Sequence, residues 1–305
     1  MKIIILSPEG EKYFTDEQKT GLNSVASVFY ISQIQNLSSI PELQDNQEKI
    51  LGLNPDFVDW KFIKEEIGAI PNLKAICIPL TSFSWINVEY AKTKNIPVTN
   101  IRNYCTEAVT EFALMTTLAV ARKIPLVIQD NYQRNSIRHQ GIELKGKRVG
   151  IIGLGNIGKR YAELCFGIGM EVVYWSRKSR DERFKFVELN ELMSTSDVIF
   201  PAMAKNEESI NTITDDLLKS MKDSAILVSF CRTYNHELVL DLAQSGKIGG
   251  YAFEEDNGNP NNYKGNVLAF PCIAWATDKS RKRSAELWTK AIINASKGIF
   301  PTKVL

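Results

Sequence analysis

The stretch that most constrains this chain is Val149–Arg160, which reads Val-Gly-Ile-Ile-Gly-Leu-Gly-Asn-Ile-Gly-Lys-Arg. Small and apolar residues run into a Gly-x-Gly-x-x-Gly pattern. A helical pattern follows through Tyr161, Ala162, Leu164 and Cys165, and a second apolar run spans residues 171–175. That order predicts strand, tight turn, helix, strand. In such a unit Gly153 makes the turn, Gly155 lets the backbone approach a pyrophosphate, and Gly158 lets the helix pack close to the strand. The phosphates then lie over the backbone of Asn156, Ile157 and Gly158, because a helix N-terminus offers N–H groups and a favourable dipole. A glycine-rich structural turn is the competing account, and the strand-turn-helix context favours a dinucleotide site.

The end of the second strand bears on which dinucleotide. Units that bind NAD usually carry an Asp or Glu there, hydrogen-bonded to the ribose 2′-OH. Here the strand ends Trp175-Ser176-Arg177-Lys178-Ser179-Arg180, with no carboxylate. Ser176 can donate to a phosphate, and the Arg177 guanidinium matches phosphate geometry, with Lys178 beside it. The pattern predicts a 2′-phosphate pocket and hence NADP(H) in preference to NAD(H). The alternative is a solvated basic turn.

A chain of 305 residues with 44% hydrophobic content suggests two domains with ample cores. A net charge of +2 without runs of like charge argues against a nucleic-acid partner. The apolar start, Met1 to Leu6, is too short for a signal peptide or a membrane span and reads as a strand. The 5 cysteines include no Cys-x-x-Cys, which predicts reduced thiols and a cytoplasmic protein, and no residues are assigned to a metal.

Along the chain, strand-like and helix-like stretches alternate. Strands are expected at 2–6, 28–31, 49–53, 72–78 and 96–100, with helices at 16–26, 57–67 and 86–94. This alternation predicts a parallel sheet covered on both faces. A long apolar helix is expected over 107–123, buried between domains or subunits, followed by a polar, irregular connector over 126–147. Beyond the dinucleotide unit, helices are expected at 188–194, 215–221, 236–245 and 278–297, and strands at 197–201, 225–230, 249–253 and 266–269. The terminal helix is expected to fold back onto the N-terminal domain.

With these stretches in place, the chain resembles the D-isomer-specific 2-hydroxyacid dehydrogenase family over nearly its full length. The resemblance rests on Asn72–Ile76, Ile96–Asn100, Glu107–Leu114, Arg122, Val149–Gly158, Leu189–Val198, Met221-Lys222, Ile248–Gly250 and Asn266–Leu268. Within the family, Ser176-Arg177 is similar to the NADP(H)-preferring glyoxylate and hydroxypyruvate reductases. The resemblance implies two doubly wound parallel-sheet α/β domains, Rossmann-like and flavodoxin-like, with the active site in a cleft between them. Residues 1–100 with 278–305 would form the substrate domain and 101–277 the dinucleotide-binding domain. A small-molecule substrate and a homodimer formed through the Rossmann domain are also implied.

Family chemistry uses an arginine to hold the substrate, a histidine to move the proton, a glutamate to keep that histidine charged, and a glycine-rich loop for the substrate carboxylate. Hydride transfer to a carbonyl leaves an alkoxide, which needs a cation and a proton donor beside it. Of these four, the resemblance leaves Arg232 in place, preceded by Cys231 on the cofactor side. Glu254 falls on the family's cofactor-side Asp. Asn259 stands where the glutamate is expected and Cys272 where the histidine is. Leu80, Thr81 and Ser82 occupy the carboxylate-binding loop, which Phe83 and Trp85 make bulkier and less polar. An unperturbed thiol is a poor acid, and Cys272 is read first as an inert buried cysteine; the alternatives are a weak proton donor or, if Arg232 lowers its pKa, a nucleophile. His236 and His139 are read as bystanders, and Ser82, Ser84, Tyr251, Glu255 and Asp256 as other conceivable proton donors.

Two main functions follow, beside a weaker third in which Cys272 forms a covalent adduct with a carbonyl or another electrophile. One is an NADP(H)-dependent oxidoreductase that acts on a carbonyl or hydroxy substrate held by Arg232. The other is a weak or inactive NADP(H)-binding member acting as a sensor or scaffold.

Overall fold

The computed structural model describes residues 1–33, 36–57, 66–83, 85–206, 208–256 and 258–304. The chain divides into two compact units, Met1–Cys105 with Thr277–Leu305, and Thr106–Ala276.

In the first unit the apolar runs form β1 (Lys2–Leu6), β2 (Ser27–Ile31), β3 (Lys49–Leu53), β4 (Leu73–Cys77) and β5 (Val98–Thr99). They pair in parallel in the order β2-β1-β3-β4-β5, the order of flavodoxin-like sheets. Helices α1 (Asp16–Asn23), α2 (Pro41–Gln44) and α3 (Val88–Thr93) connect them. β1 and β3 are apolar at nearly every position because both faces are covered. Ile4, Leu6, Leu51 and Leu53 enter one core, and Ile3, Ile5 and Ile50 the other. α1 opens with a Thr15–Gln18 capping box and stops at Asn23, short of the expected residue 26. The helix expected over 57–67 lies mostly outside the described residues, and its flanks, Pro55–Phe57 and Ile67–Ala69, are single 3-10 turns.

The second unit contains α4 (Thr106–Ala121), α5 (Ile124–Gln129), β6 (Arg148–Ile152), α6 (Asn156–Gly167), β7 (Glu171–Trp175) and β8 (Lys185–Phe186). It continues through α7 (Leu189–Thr195), β9 (Val198–Pro201), α8 (Asp215–Lys219), β10 (Ile226–Ser229), α9 (His236–Gln244), β11 (Gly250–Glu254) and β12 (Val267–Phe270). Its sheet runs β12-β11-β10-β9-β6-β7-β8, all parallel. Strand order reverses between β6 and β9, which is the topological switch point where doubly wound sheets bind ligands at their carboxyl edge.

α4 is shorter than expected. Lys123 adopts a left-handed conformation (φ 57) and Pro125 sits in the first turn of α5, so the segment expected to be irregular from 126 begins as a helix. α4 buries Ala113, Thr117 and Val120 in its own unit, where the Thr117 hydroxyl meets that of Tyr161 at 2.5 Å. Met115 and Leu118 stay exposed at 44% and 41%.

The last helix, α10 (Asp278–Ser296), belongs to the first unit. Thr277 and Ser280 form its capping box. Trp288 is fully buried, stacks with Phe14 and donates its indole N–H to the Cys77 carbonyl at 2.8 Å. No helix among the described residues is long and apolar enough to cross a membrane.

Candidate active site

β6 ends and α6 begins across the glycine turn. Gly153 has φ 99, where a side chain would be strained, and a Cβ on Gly158 would lie 2.1 Å from the Gly153 carbonyl oxygen. Glycine is therefore required at both positions. A Cβ on Gly155 would meet nothing within 4 Å, so the space at Gly155, the N-cap of α6, is open. A phosphate needs such space at a helix N-terminus.

At the end of β7, Ser176 is buried and its hydroxyl accepts the Ser179 N–H at 3.3 Å, so it is engaged within its own turn. Lys178 is exposed. The Arg177 guanidinium is held by the connection between β9 and α8. It lies 3.1 Å from Glu208 Oε2, 2.5 Å from the Glu208 carbonyl and 3.3 Å from Thr212 Oγ1. The carboxylate missing from the sequence of the β7 turn thus arrives from another loop. The Arg180 guanidinium lies over the Phe186 ring at 4.4 Å.

At the ends of β10 and β11 the chain assembles a polar and aromatic cluster around Arg232. The Arg232 guanidinium donates to the Glu254 carbonyl at 2.6 Å, lies 3.9 Å from Glu255 Oε2 and sits over the Phe253 ring at 5.3 Å. Glu255 in turn accepts a short hydrogen bond from the Tyr263 hydroxyl, and burial together with that carboxylate pushes the phenol up to about 12. His236 packs edge-on against Phe253 at 4.7 Å, and its Nδ1 meets the Tyr251 hydroxyl at 2.8 Å. Tyr251 also bonds Tyr234, at 2.9 Å. Burial, then the nearby Arg232 charge, lowers the His236 pKa. His236, expected at the surface, instead lies half-buried, within reach of the Arg232 charge. Tyr251 is fully buried, and desolvation raises its pKa well above the ordinary value. A cavity of about 580 Å³ opens beside Arg232, lined also by Lys205, Asn211, Thr214 and Thr233.

The remaining expected residues are more scattered. Glu254 accepts the backbone N–H groups of Ile273 and Ala274 at 2.7 and 2.5 Å, and burial raises its pKa against those two bonds. It ties β11 to the loop after β12. Cys231 is half-buried, and burial raises its thiol pKa. Asn259 is exposed and accepts the Asn261 N–H within a local turn. Cys272 is exposed, with its sulfur 3.9 Å from Asp256 Oδ1. Its pKa is raised, by partial burial and then by Glu254 and Asp256, which outweigh Arg232. Cys272 is thus not the buried cysteine expected, and the surrounding charges do not favour the alternative in which Arg232 activates it.

In the first unit, the loop after β4 is closed by its own hydrogen bonds. Thr81 Oγ1 donates to the Ile101 carbonyl at 3.0 Å, Asn100 donates to the Thr81 carbonyl at 2.7 Å, and Leu80 accepts from Ile101 N at 3.4 Å. The Trp85 indole bonds the Ser82 carbonyl and its ring is buried, so Trp85 adds no bulk to the loop's surface, contrary to expectation. Phe83 is exposed at 38%. Ser84 lies outside the described residues. His139 pairs with Asp130 at 2.8 Å, away from the Arg232 cluster.

Sequence reasoning missed Lys205, Glu208, Tyr234 and Tyr263. A signal for the first two existed: they follow β9 directly, at the edge where such sheets bind ligands.

Residues 114–273 match the family described as D-isomer specific 2-hydroxyacid dehydrogenase, NAD binding domain. A glyoxylate reductase of Thermococcus litoralis is 31% identical over 268 residues, covering 80% of each chain. A hydroxypyruvate reductase of Blautia hydrogenotrophica is 29% identical over 252 residues, covering 73% of this chain and 76% of its own. Among solved structures, an acyclic imino acid reductase in complex with NADPH and D-Arg superposes with a TM-score of 0.81 at 23% identity, covering 100% of both chains. A glyoxylate reductase from Paecilomyes thermophila gives 0.81 at 19% identity, covering 100% and 98%. The chain belongs to the D-isomer-specific 2-hydroxyacid dehydrogenase family, whose members are NAD(P)-dependent oxidoreductases acting on CH–OH or C=O groups.

Proposed function

We propose that this chain is an NADP(H)-dependent reductase or dehydrogenase of that family, with Arg232 holding a carbonyl or hydroxy substrate. The observation that carries the reading is the pairing of two features on one sheet edge. One is the open glycine turn with Ser176, Arg177 and Lys178 beyond it. The other is Arg232 beside a cavity of about 580 Å³. The bound coenzyme would supply or accept the hydride. Gly153 to Gly158 would hold its pyrophosphate, Arg177 and Lys178 its 2′-phosphate, and Cys231 and Glu254 would flank it further along the edge. On this reading the first unit is the substrate domain, its loop Leu80–Ser82 facing the substrate, and the second unit is the coenzyme domain.

Arg232 neutralises charge that develops on the substrate oxygen, and the Glu254 carbonyl and Phe253 ring fix its direction. Burial, then Glu254 and Asp256, raise the Cys272 pKa, which disfavours the thiolate that a nucleophilic role would need. Asn259 has a neutral amide with no titratable proton. A second reading, a weakly active or inactive coenzyme-binding member, is supported by that same pair, because neither residue replaces a charged histidine and its carboxylate partner. Loss of general acid–base help costs typically ~10²–10⁴ in rate.

Calorimetric titration with NADPH and NADH, followed by NADPH oxidation with glyoxylate, hydroxypyruvate and preformed imines, tests the reading. NADPH should bind more tightly than NADH, and Arg232→Gln should lower kcat/KM by ~10²-fold or more with coenzyme binding retained. Binding of neither coenzyme overturns the proposal, and tight NADPH binding without turnover selects the second reading.

The exposed apolar residues Met115, Leu118, Phe166 and Ile168 of the second unit support a homodimer formed through that unit.

A further inference from the structure

We propose that Glu208 is a specificity-determining residue for the coenzyme: a carboxylate latch that occupies Arg177 and weakens the site's grip on a 2′-phosphate. The inference rests on the NADP(H) reading given above. Arg177 is the guanidinium placed to take the phosphate, yet its nitrogens are committed to the connection between β9 and α8, to Glu208 Oε2 at 3.1 Å, the Glu208 carbonyl at 2.5 Å and Thr212 Oγ1 at 3.3 Å. Two of these three contacts are neutral and orient the fork. The third is an anion. A phosphate dianion arriving at Arg177 displaces that carboxylate or sits beside it, and both outcomes oppose binding.

The surroundings favour displacement. The Glu208 side chain is 71% exposed, so its pair with Arg177 is a surface ion pair, and such pairs contribute little. A phosphate carries more charge and three acceptor oxygens, and matches a guanidinium in a bidentate fashion. Among the described residues, the ion pair of Glu208 is with Arg177, while Arg180 is engaged with the Ser176 carbonyl at 2.8 Å and the Phe186 ring. Glu208 therefore lowers affinity for NADP(H) more than for NAD(H), whose ribose brings no charge to this point, and narrows the discrimination between the two.

The same connection carries Lys205, Asn211 and Thr214 to the wall of the cavity beside Arg232.

The test is calorimetric titration of wild type, Glu208→Gln, Arg177→Ala and the double variant with NADPH, NADH and adenosine 2′,5′-bisphosphate, the last reporting on the phosphate end alone. Glu208→Gln keeps the carbonyl that orients Arg177 and removes only the charge. It should bind NADPH and the bisphosphate two- to tenfold more tightly, raise the NADPH-to-NADH preference by a similar factor, and lose that gain in the Arg177→Ala background. Wild type favouring NADPH while Glu208→Gln binds it equally or less tightly overturns the latch and leaves the coenzyme reading standing. Wild type favouring NADH, or ignoring the bisphosphate, overturns both.

Discussion

Around Arg232, single residues from several elements meet. β10 delivers the arginine, β11 the Phe253 ring and the Glu254 carbonyl, α9 the His236 ring, and the loop before β12 the Tyr263 phenol. His236 gives this cluster a pH signature. Its pKa is lowered in the folded chain, first by burial and then by Arg232, against the opposing pull of Glu237 and Glu255. A histidine lowered in this way binds fewer protons folded than unfolded. Its contribution to stability is therefore present above the unfolded pKa of about 6.5 and is lost as pH falls through the lower folded value. Between pH 7.5 and 5 the thermal midpoint of wild type should fall more steeply than that of His236→Gln, as read by scanning calorimetry, and parallel slopes would contradict this. Arg232 was legible in the sequence because it ends an apolar run at a recognisable position. Its neighbours were not, because Tyr251 meets Tyr234 and His236 only once β10 and β11 pair and α9 lies over them. The position of Glu208 after β9 was a signal, but its pairing with Arg177 was invisible for a related reason. Its partner Arg177 is distant in sequence and becomes its neighbour only because β9 and β7 flank the same central strand.

Among the elements, the parallel strands were the most legible, since burial on both faces leaves an unbroken apolar run with sharp ends. β1, β3 and β7 occupy the expected residues. Short elements were not legible: β8 has two residues, and its pairing with β7 carries no local pattern. α5 was missed although Pro125 announced it, because Lys123 takes up a left-handed conformation that sequence preference does not anticipate. α10 illustrates how an element is held by one side chain. Trp288 contacts Phe14 and Tyr13 and bonds the Cys77 carbonyl from a fully buried position. Trp288→Ala should cost about 3–5 kcal/mol, from lost contacts, a cavity and an orphaned carbonyl, and denaturant unfolding measures it. A cost under about 1 kcal/mol would mean that α10 does not hold the sheet's face in solution.

For the molecule as a whole, two parallel sheets of different strand order make up one chain, and the outer surface of the second carries apolar side chains that its own core does not use. If that surface joins two copies, Leu118→Glu places a charge within it. Light scattering after size-exclusion chromatography should then show the variant as a monomer where wild type is a dimer, and equal masses would remove the inference. The first unit has another property of whole-chain scale. Its strands come from the beginning of the chain and one of its covering helices from the far end, with the whole second unit threaded between. During synthesis on the ribosome, Ile3, Ile5 and Ile50 emerge long before Trp288 and Ile292 exist to cover them. The second unit, made of one continuous segment, can complete itself first. The nascent first unit must wait with one face uncovered, which makes it the part of the polypeptide that a chaperone would meet.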